Sequence, residues 1–131
     1  MLDDIGGVTS QMVKVALDAS VLKHKVIANN IANANTDGFK PLTTSFENLL
    51  LNIEHDRFSP IDDELVRSQL NELSRAIDSG EVIEQSSTSK VELDVEMAKL
   101  TENVIRYRAL LEGLSKRGSI IKMAVSQQGG K

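Results

Sequence analysis

Between Ala28 and Pro41 the chain reads Ala-Asn-Asn-Ile-Ala-Asn-Ala-Asn-Thr-Asp-Gly-Phe-Lys-Pro, its densest set of chemically capable side chains. Asn29, Asn30, Asn33 and Asn35 each carry a carboxamide that donates and accepts, which suits binding of backbone groups and not the breaking of bonds. Asparagine is poor in helix interiors but tolerates the left-handed conformation, so the tract reads first as a helix C-terminus followed by a turn. Asp37-Gly38 supplies that turn, with Gly38 free to take positive φ, and Pro41 forbids helix there. A single Asn or Gly would stop a helix, and the surplus points to amides at buried contacts. Asn30 and Asn33, three apart on one helix face, are placed to bond backbone groups of an adjoining molecule.

The other candidates for chemistry are weaker. Asp62, Asp63 and Glu64 suggest a hard-cation site, but adjacent carboxylates face different sides of a helix and no Asp-x-Asp-x-Asp-Gly loop is present. Helix initiation accounts for them better. His24 and His55 lack carboxylate or histidine neighbours at metal-ligand spacing and read as solvated. The absence of cysteine removes disulfides, thiolate metal sites and cysteine nucleophiles. With no nucleophile–base constellation and no Gly-rich phosphate loop, the chain reads as a non-enzyme without cofactor or metal. A formal charge of −4, a pI near 5.2 and no basic stripe argue against nucleic acid. No apolar run is long enough to span a bilayer, and Asp3 and Asp4 stand where a cleaved signal would be basic, so none is expected.

Those side chains need elements to hold them. With 131 residues and 3% aromatics, there is room for one modest domain packed with Leu, Ile, Val and Ala. From Leu93 to Val125 the apolar residues fall at Leu93, Met97, Leu100, Val104, Tyr107, Leu111, Leu114, Ile121 and Val125, a coiled-coil seam interrupted at Gly118. A second ladder runs Val8, Met12, Val15, Ala19, Leu22, Val26 and turns polar at Asn29 and Asn33. The segment Leu42–Ile53 reads as a short helix or turn with Phe46, Leu49, Leu50 and Ile53 on one side. Ser59-Pro60 breaks the chain, and Val66, Leu70, Leu73 and Ile77 form a short helical stripe ending near Gly80. Glu81 to Lys90 reads as an extended or mobile connector, the last helix starts around Asp94, and Gln127–Lys131 reads as a fraying tail. Glu102–Arg106 and Glu112–Lys116 are four-apart pairs, and in the first and last helices acidic residues at the start (Asp3, Asp4; Glu92, Asp94, Glu96) with basic ones towards the end (Lys23, Lys25; Lys116, Arg117, Lys122) match the helix dipole.

The predicted fold is all-α, with long N- and C-terminal helices packed as an antiparallel coiled-coil-like hairpin around a short, partly irregular middle. The expected organisation is one domain over residues 1–131, with the first helix and Asn-rich tract in 1–35, the middle in 36–90 and the last helix in 91–131. Off-seam residues such as Val13, Leu17 and Val21, and Ala98, Ile105 and Ala109, would leave apolar stripes wet on a lone hairpin. Self-assembly or partner binding follows.

The tract Ala28–Lys40 resembles the N-terminal signature of flagellar rod, hook and hook-basal-body proteins, A-x-N-I-A-N-x-x-T-x-G-[FY]. Within that family Val91–Asn103, Arg106-Tyr107-Arg108-Ala109-Leu110 and Leu114-Ser115-Lys116-Arg117 are most similar to the short proximal rod members. Arg108 departs from the Gln often found there, and Ser-Thr-Ser-Lys replaces a common Leu-Asp-Gly-Asn turn. The resemblance covers both ends of the chain and hardly touches 54–90. It implies a structural subunit of the bacterial flagellar basal body, part of the drive shaft linking motor ring and export gate to the distal rod and hook. Implied partners are other rod proteins, further copies of the chain, the MS-ring/rod junction protein and the export gate. The implied location is the periplasmic rod, reached by type III export without a cleaved signal. Assembly contacts are then expected at Asn30, Ile31, Asn33, Gly38 and Phe39 of the tract and along the seam from Leu93 to Leu114, the terminal helices ordering only when neighbours cover them. The rival reading is a small helical adaptor or secretion chaperone that binds partner helices.

Overall fold

A computed structural model of the chain describes residues 2–47, 49, 63–87 and 90–129, with the backbone alone at 2–6, 8, 9, 63 and 117–129. The elements run α1 (Leu2–Ala32), β1 (Leu42–Thr44), α2 (Asp63–Ser79), β2 (Ile83–Gln85) and α3 (Leu93–Gly129). Ser20 meets Asn103 and Asn30 meets Glu96, so α1 and α3 lie antiparallel, as the two seams predict. Helix α1 is the common partner, packing against α3, α2 and β1.

The apolar core forms between α1 and α2. It joins Val15 and Ala19 of α1 to Val66, Leu70, Leu73 and Ile77 of α2, closed by Phe46 and Val82. The four-three-four spacing on α2 puts its apolar residues on one face, and Leu70, with no exposed surface, sits at the centre. Acidic Asp63 and Glu64 open α2, and Gly80, at φ +81°, ends it. On α1 the predicted seam is buried at Val15, Ala19 and Val26 and then moves to Ile27 and Asn30, leaving Asn29 exposed. At 100° per residue Ile27 lies about 120° round the helix from Val15, on the side where Ser20 meets Asn103, so its burial belongs to the face that docks α3.

Three expectations change. Residues 42–44 form a strand instead of a helix or turn. Pro41 disfavours helix, the β-branched Thr43 and Thr44 favour extension, and β2 pairs antiparallel in the register Leu42–Gln85, Thr43–Glu84, Thr44–Ile83. The ladder continues at both ends, from Ser45 N–H to the Val82 carbonyl at 2.9 Å and from Ser86 N–H to the Pro41 carbonyl at 2.7 Å. Residues 127–129 remain helical, since Gln127 and Gln128 are good helix formers, no proline intervenes and Gly129 comes only at the end, and so α3 has no basic residue in its last turn. The four-apart pairs do form, Glu102–Arg106 at 3.2 Å and Glu112–Lys116 at 3.4 Å, but both are exposed and each contributes about 0.3–0.5 kcal/mol. Leu50, Ile53, His55, Ser59-Pro60, Asp62 and the 130–131 end lie outside the described residues, as do the side chains of Asp3, Asp4, Val8, Arg117, Ile120, Ile121, Lys122, Ala124 and Val125.

Because α2 covers Val15 and Ala19, the middle of α1 does not depend on neighbours for its apolar contacts. In hydrogen exchange on the free chain, amides from about Val15 to Asn30 and across α2 should be the slowest, with α3 beyond Tyr107 exchanging earlier. Equal, rapid exchange along all three helices would contradict this core.

Candidate functional site: the asparagine junction and the outer face of the last helix

Asn30 is 1% exposed and ties three elements together. Its Oδ1 accepts from the Leu42 N–H at 2.8 Å while its Nδ2 donates to the Leu42 carbonyl at 2.9 Å, so the carboxamide bonds the strand as a neighbouring peptide would. The second Nδ2 hydrogen is directed at Glu96 Oε2, 3.3 Å away on α3. Glu96 is itself 6% exposed, and its other oxygen lies 3.5 Å from Lys99 Nζ. Asn33 instead stays within its own helix end. Its Nδ2 donates to the Asn29 carbonyl at 2.8 Å, and its Oδ1 accepts from the Thr36 hydroxyl at 3.2 Å. Within the chain, then, the Asn30 amide is fully used on Leu42 and Glu96, and the Asn33 amide bonds its own helix end at a half-buried position, because the turn after α1 brings Leu42 and Thr36 back to them.

That turn depends on Gly38. Phe39 N–H donates to the Thr36 carbonyl at 3.2 Å, and Gly38 takes φ +75°, the sign a type II turn requires at its third residue. A Cβ at Gly38 would meet nothing within 4 Å, so the cost of a side chain there is purely conformational. Gly38→Val should therefore lower unfolding free energy by about 1–2 kcal/mol, and Gly38→Asn by clearly less. Equal midpoints in urea for the two variants would contradict the turn assignment. Ile31 and Phe39 are half-buried and Gly38 is exposed.

On α3 the seam residues divide. Leu100, Val104, Tyr107 and Leu114 are half-buried towards α1, whereas Leu93, Met97 and Leu111 are 49%, 50% and 41% exposed. Among α3 residues with described side chains, the two that are fully buried are Glu96 and Asn103, and Asn103 Nδ2 donates to the Ser20 carbonyl at 2.8 Å. By sequence Glu96 is simply an acidic residue in the first turn of α3, and no apolar period marks Asn103. A usable signal was there, since the two stand seven apart, in step with Leu100, Tyr107 and Leu114.

Lys23, Glu47, Glu96, Lys99 and Glu102 line a cleft of about 310 Å³ where α1, β1 and α3 meet. Lys23 pairs with Glu47 at 3.0 Å. Among the described residues no group of three His, Asp or Glu side chains could hold a metal ion, and no helix is long and apolar enough to cross a membrane. Chemically, the arrangement ties backbones together and presents an apolar stripe outward.

Comparison with known proteins agrees with that description. A family profile described as "Flagella basal body rod protein" matches residues 16–40, which include the whole asparagine tract except Pro41. The chain is also 32% identical over 126 residues to "Flagellar basal body rod protein FlgB" of Bacillus subtilis (strain 168), covering 94% of this chain and 95% of that protein.

Proposed function

The chain belongs to the flagellar basal body rod protein family, and on that premise we propose that it is a proximal rod subunit that works by packing and performs no catalysis. It joins the motor ring and export gate to the distal rod and hook. The observation that carries this reading is the end-to-end match to a rod protein of nearly the same length, which takes in both terminal helices and the middle between them. Its helices supply what a shaft needs: a rigid antiparallel pair cross-tied by buried amides, with Leu93, Met97 and Leu111 left outward for neighbours. The neighbours we propose are further copies of the chain, other rod proteins, the MS-ring/rod junction protein and the export gate. The subunit acts as one unit over its length, lies in the periplasmic part of the basal body, and reaches it through the type III export apparatus without loss of a signal peptide. No observation favours the adaptor or chaperone reading.

Deleting the gene in its host tests this. Cells should lose swimming and assemble no rod or hook beyond the motor ring, and a reintroduced copy should be recovered in purified basal bodies with its N-terminus intact. A deletion strain that swims, or a product confined to soluble complexes, would overturn the proposal.

A further inference from the structure

Docking driven by apolar burial alone would not place α3 as it lies. Turning α3 by roughly 80° about its axis, at 100° per residue, would bring Leu93, Met97, Leu100, Val104 and Leu111 to the direction that Glu96 and Asn103 now take towards α1. Instead Glu96 and Asn103 face inward at 6% and 5% exposure, and Met97 stays half in solvent. Two polar contacts oppose the turn. Asn103 Nδ2 reaches the Ser20 carbonyl at 2.8 Å, and Asn30 Nδ2 reaches Glu96 Oε2 at 3.3 Å. Each joins buried partners, so a turned helix would strand an amide hydrogen and a carboxylate away from water.

We propose that Asn103 and Glu96 are an orientation clasp, selecting the rotation of α3 on α1 that keeps Leu93, Met97 and Leu111 outside. The same pair resists sliding. A one-heptad slip in one direction would bring Leu110 to the Ser20 carbonyl, and in the other it would set the Glu96 carboxylate against that carbonyl, acceptor to acceptor. Polar residues within a helix seam fix register at a cost in stability. Asn30, whose other bonds hold Leu42, couples the clasp to the strand, so the helix rotation is set relative to the whole middle of the chain. The inference concerns the free chain and does not depend on what later covers the outer stripe.

The chain has no cysteine, so a single Met97→Cys or Leu111→Cys substitution gives one thiol whose maleimide alkylation reports which way that face points. The rate is measured on the full-length chain with the clasp intact, with Asn103→Leu, and with Glu96→Leu/Asn103→Leu, alongside helix content by circular dichroism. With both clasp residues replaced, alkylation at 97 and 111 should be about tenfold slower at unchanged helix content, because the thiol now needs a local opening to react. Asn103→Leu alone, which keeps the Asn30–Glu96 contact, should give an intermediate rate. Unchanged rates would overturn the proposal, since apolar contacts would then set the rotation unaided. Faster rates would also overturn it, showing that these residues merely hold α3 on.

Discussion

Asn30→Leu is expected to lower the unfolding free energy of the free chain by about 2–4 kcal/mol, far more than a change of similar size at Asn33. Leucine fills the volume but leaves the Leu42 N–H and carbonyl without their 2.8 and 2.9 Å partners and removes the donor facing Glu96. A buried carboxylate that loses a donor costs more than a neutral group, and at 3.5 Å Lys99 does not replace it. Asn33→Leu removes only contacts within the helix end, at a partly exposed site, and should cost under about 1 kcal/mol. Urea unfolding of both variants measures the difference. Similar midpoints would contradict the assignment of Asn30 as the junction of α1, β1 and α3.

The second large effect is on assembly and not on folding. Met97→Asp and Leu111→Asp introduce a charge where the side chain is already 50% or 41% exposed, so each should change the stability of the free chain by under about 1 kcal/mol. If that stripe is covered in the rod, the same charge becomes buried without a partner and incorporation should fall to nothing while export continues. Leu100→Asp differs, because Leu100 is half-buried against α1 and its replacement should harm folding and assembly together. The comparison is between the amount of each variant in purified basal bodies and the amount exported. Incorporation of Met97→Asp and Leu111→Asp at the level of the unaltered chain would show that the outer stripe is not an assembly face.

How much of this was legible in the sequence follows from which interactions are local. Helices α1, α2 and α3 announced themselves because an apolar period of three and four is a property of neighbouring residues. Gly38 was legible for the same reason, since Asp-Gly after an asparagine run is a turn by its own backbone chemistry. The strand at Leu42–Thr44 was not, because three residues make a strand only when a partner arrives, and Ile83–Gln85 lies 41 residues away in the pairing of Thr43 with Glu84. The surplus of asparagines marks the tract as more than a helix end, but the bonds of Asn30 to Leu42 and Glu96 within the chain are not legible there. The distance between Asn30 and Leu42 depends on the turn geometry, which no spacing rule reports. On α3 the heptad pattern named the right helix and a face rotated from the one that docks. Periodicity ranks positions by hydrophobicity, and two buried amide contacts outweighed it at Glu96 and Asn103.

The central claim is that this chain is a rod subunit whose outward stripe on α3 is covered by its neighbours. Cryo-electron microscopy of basal bodies isolated from the host tests it most directly, with the chain traced through Phe39 and Tyr107. The account predicts density for this chain in the proximal rod, α1 and α3 antiparallel with Asn103 against Ser20, and Leu93, Met97 and Leu111 packed on side chains of adjacent subunits. Rod density that fits other proteins only, or this chain with those three residues facing solvent, would contradict it.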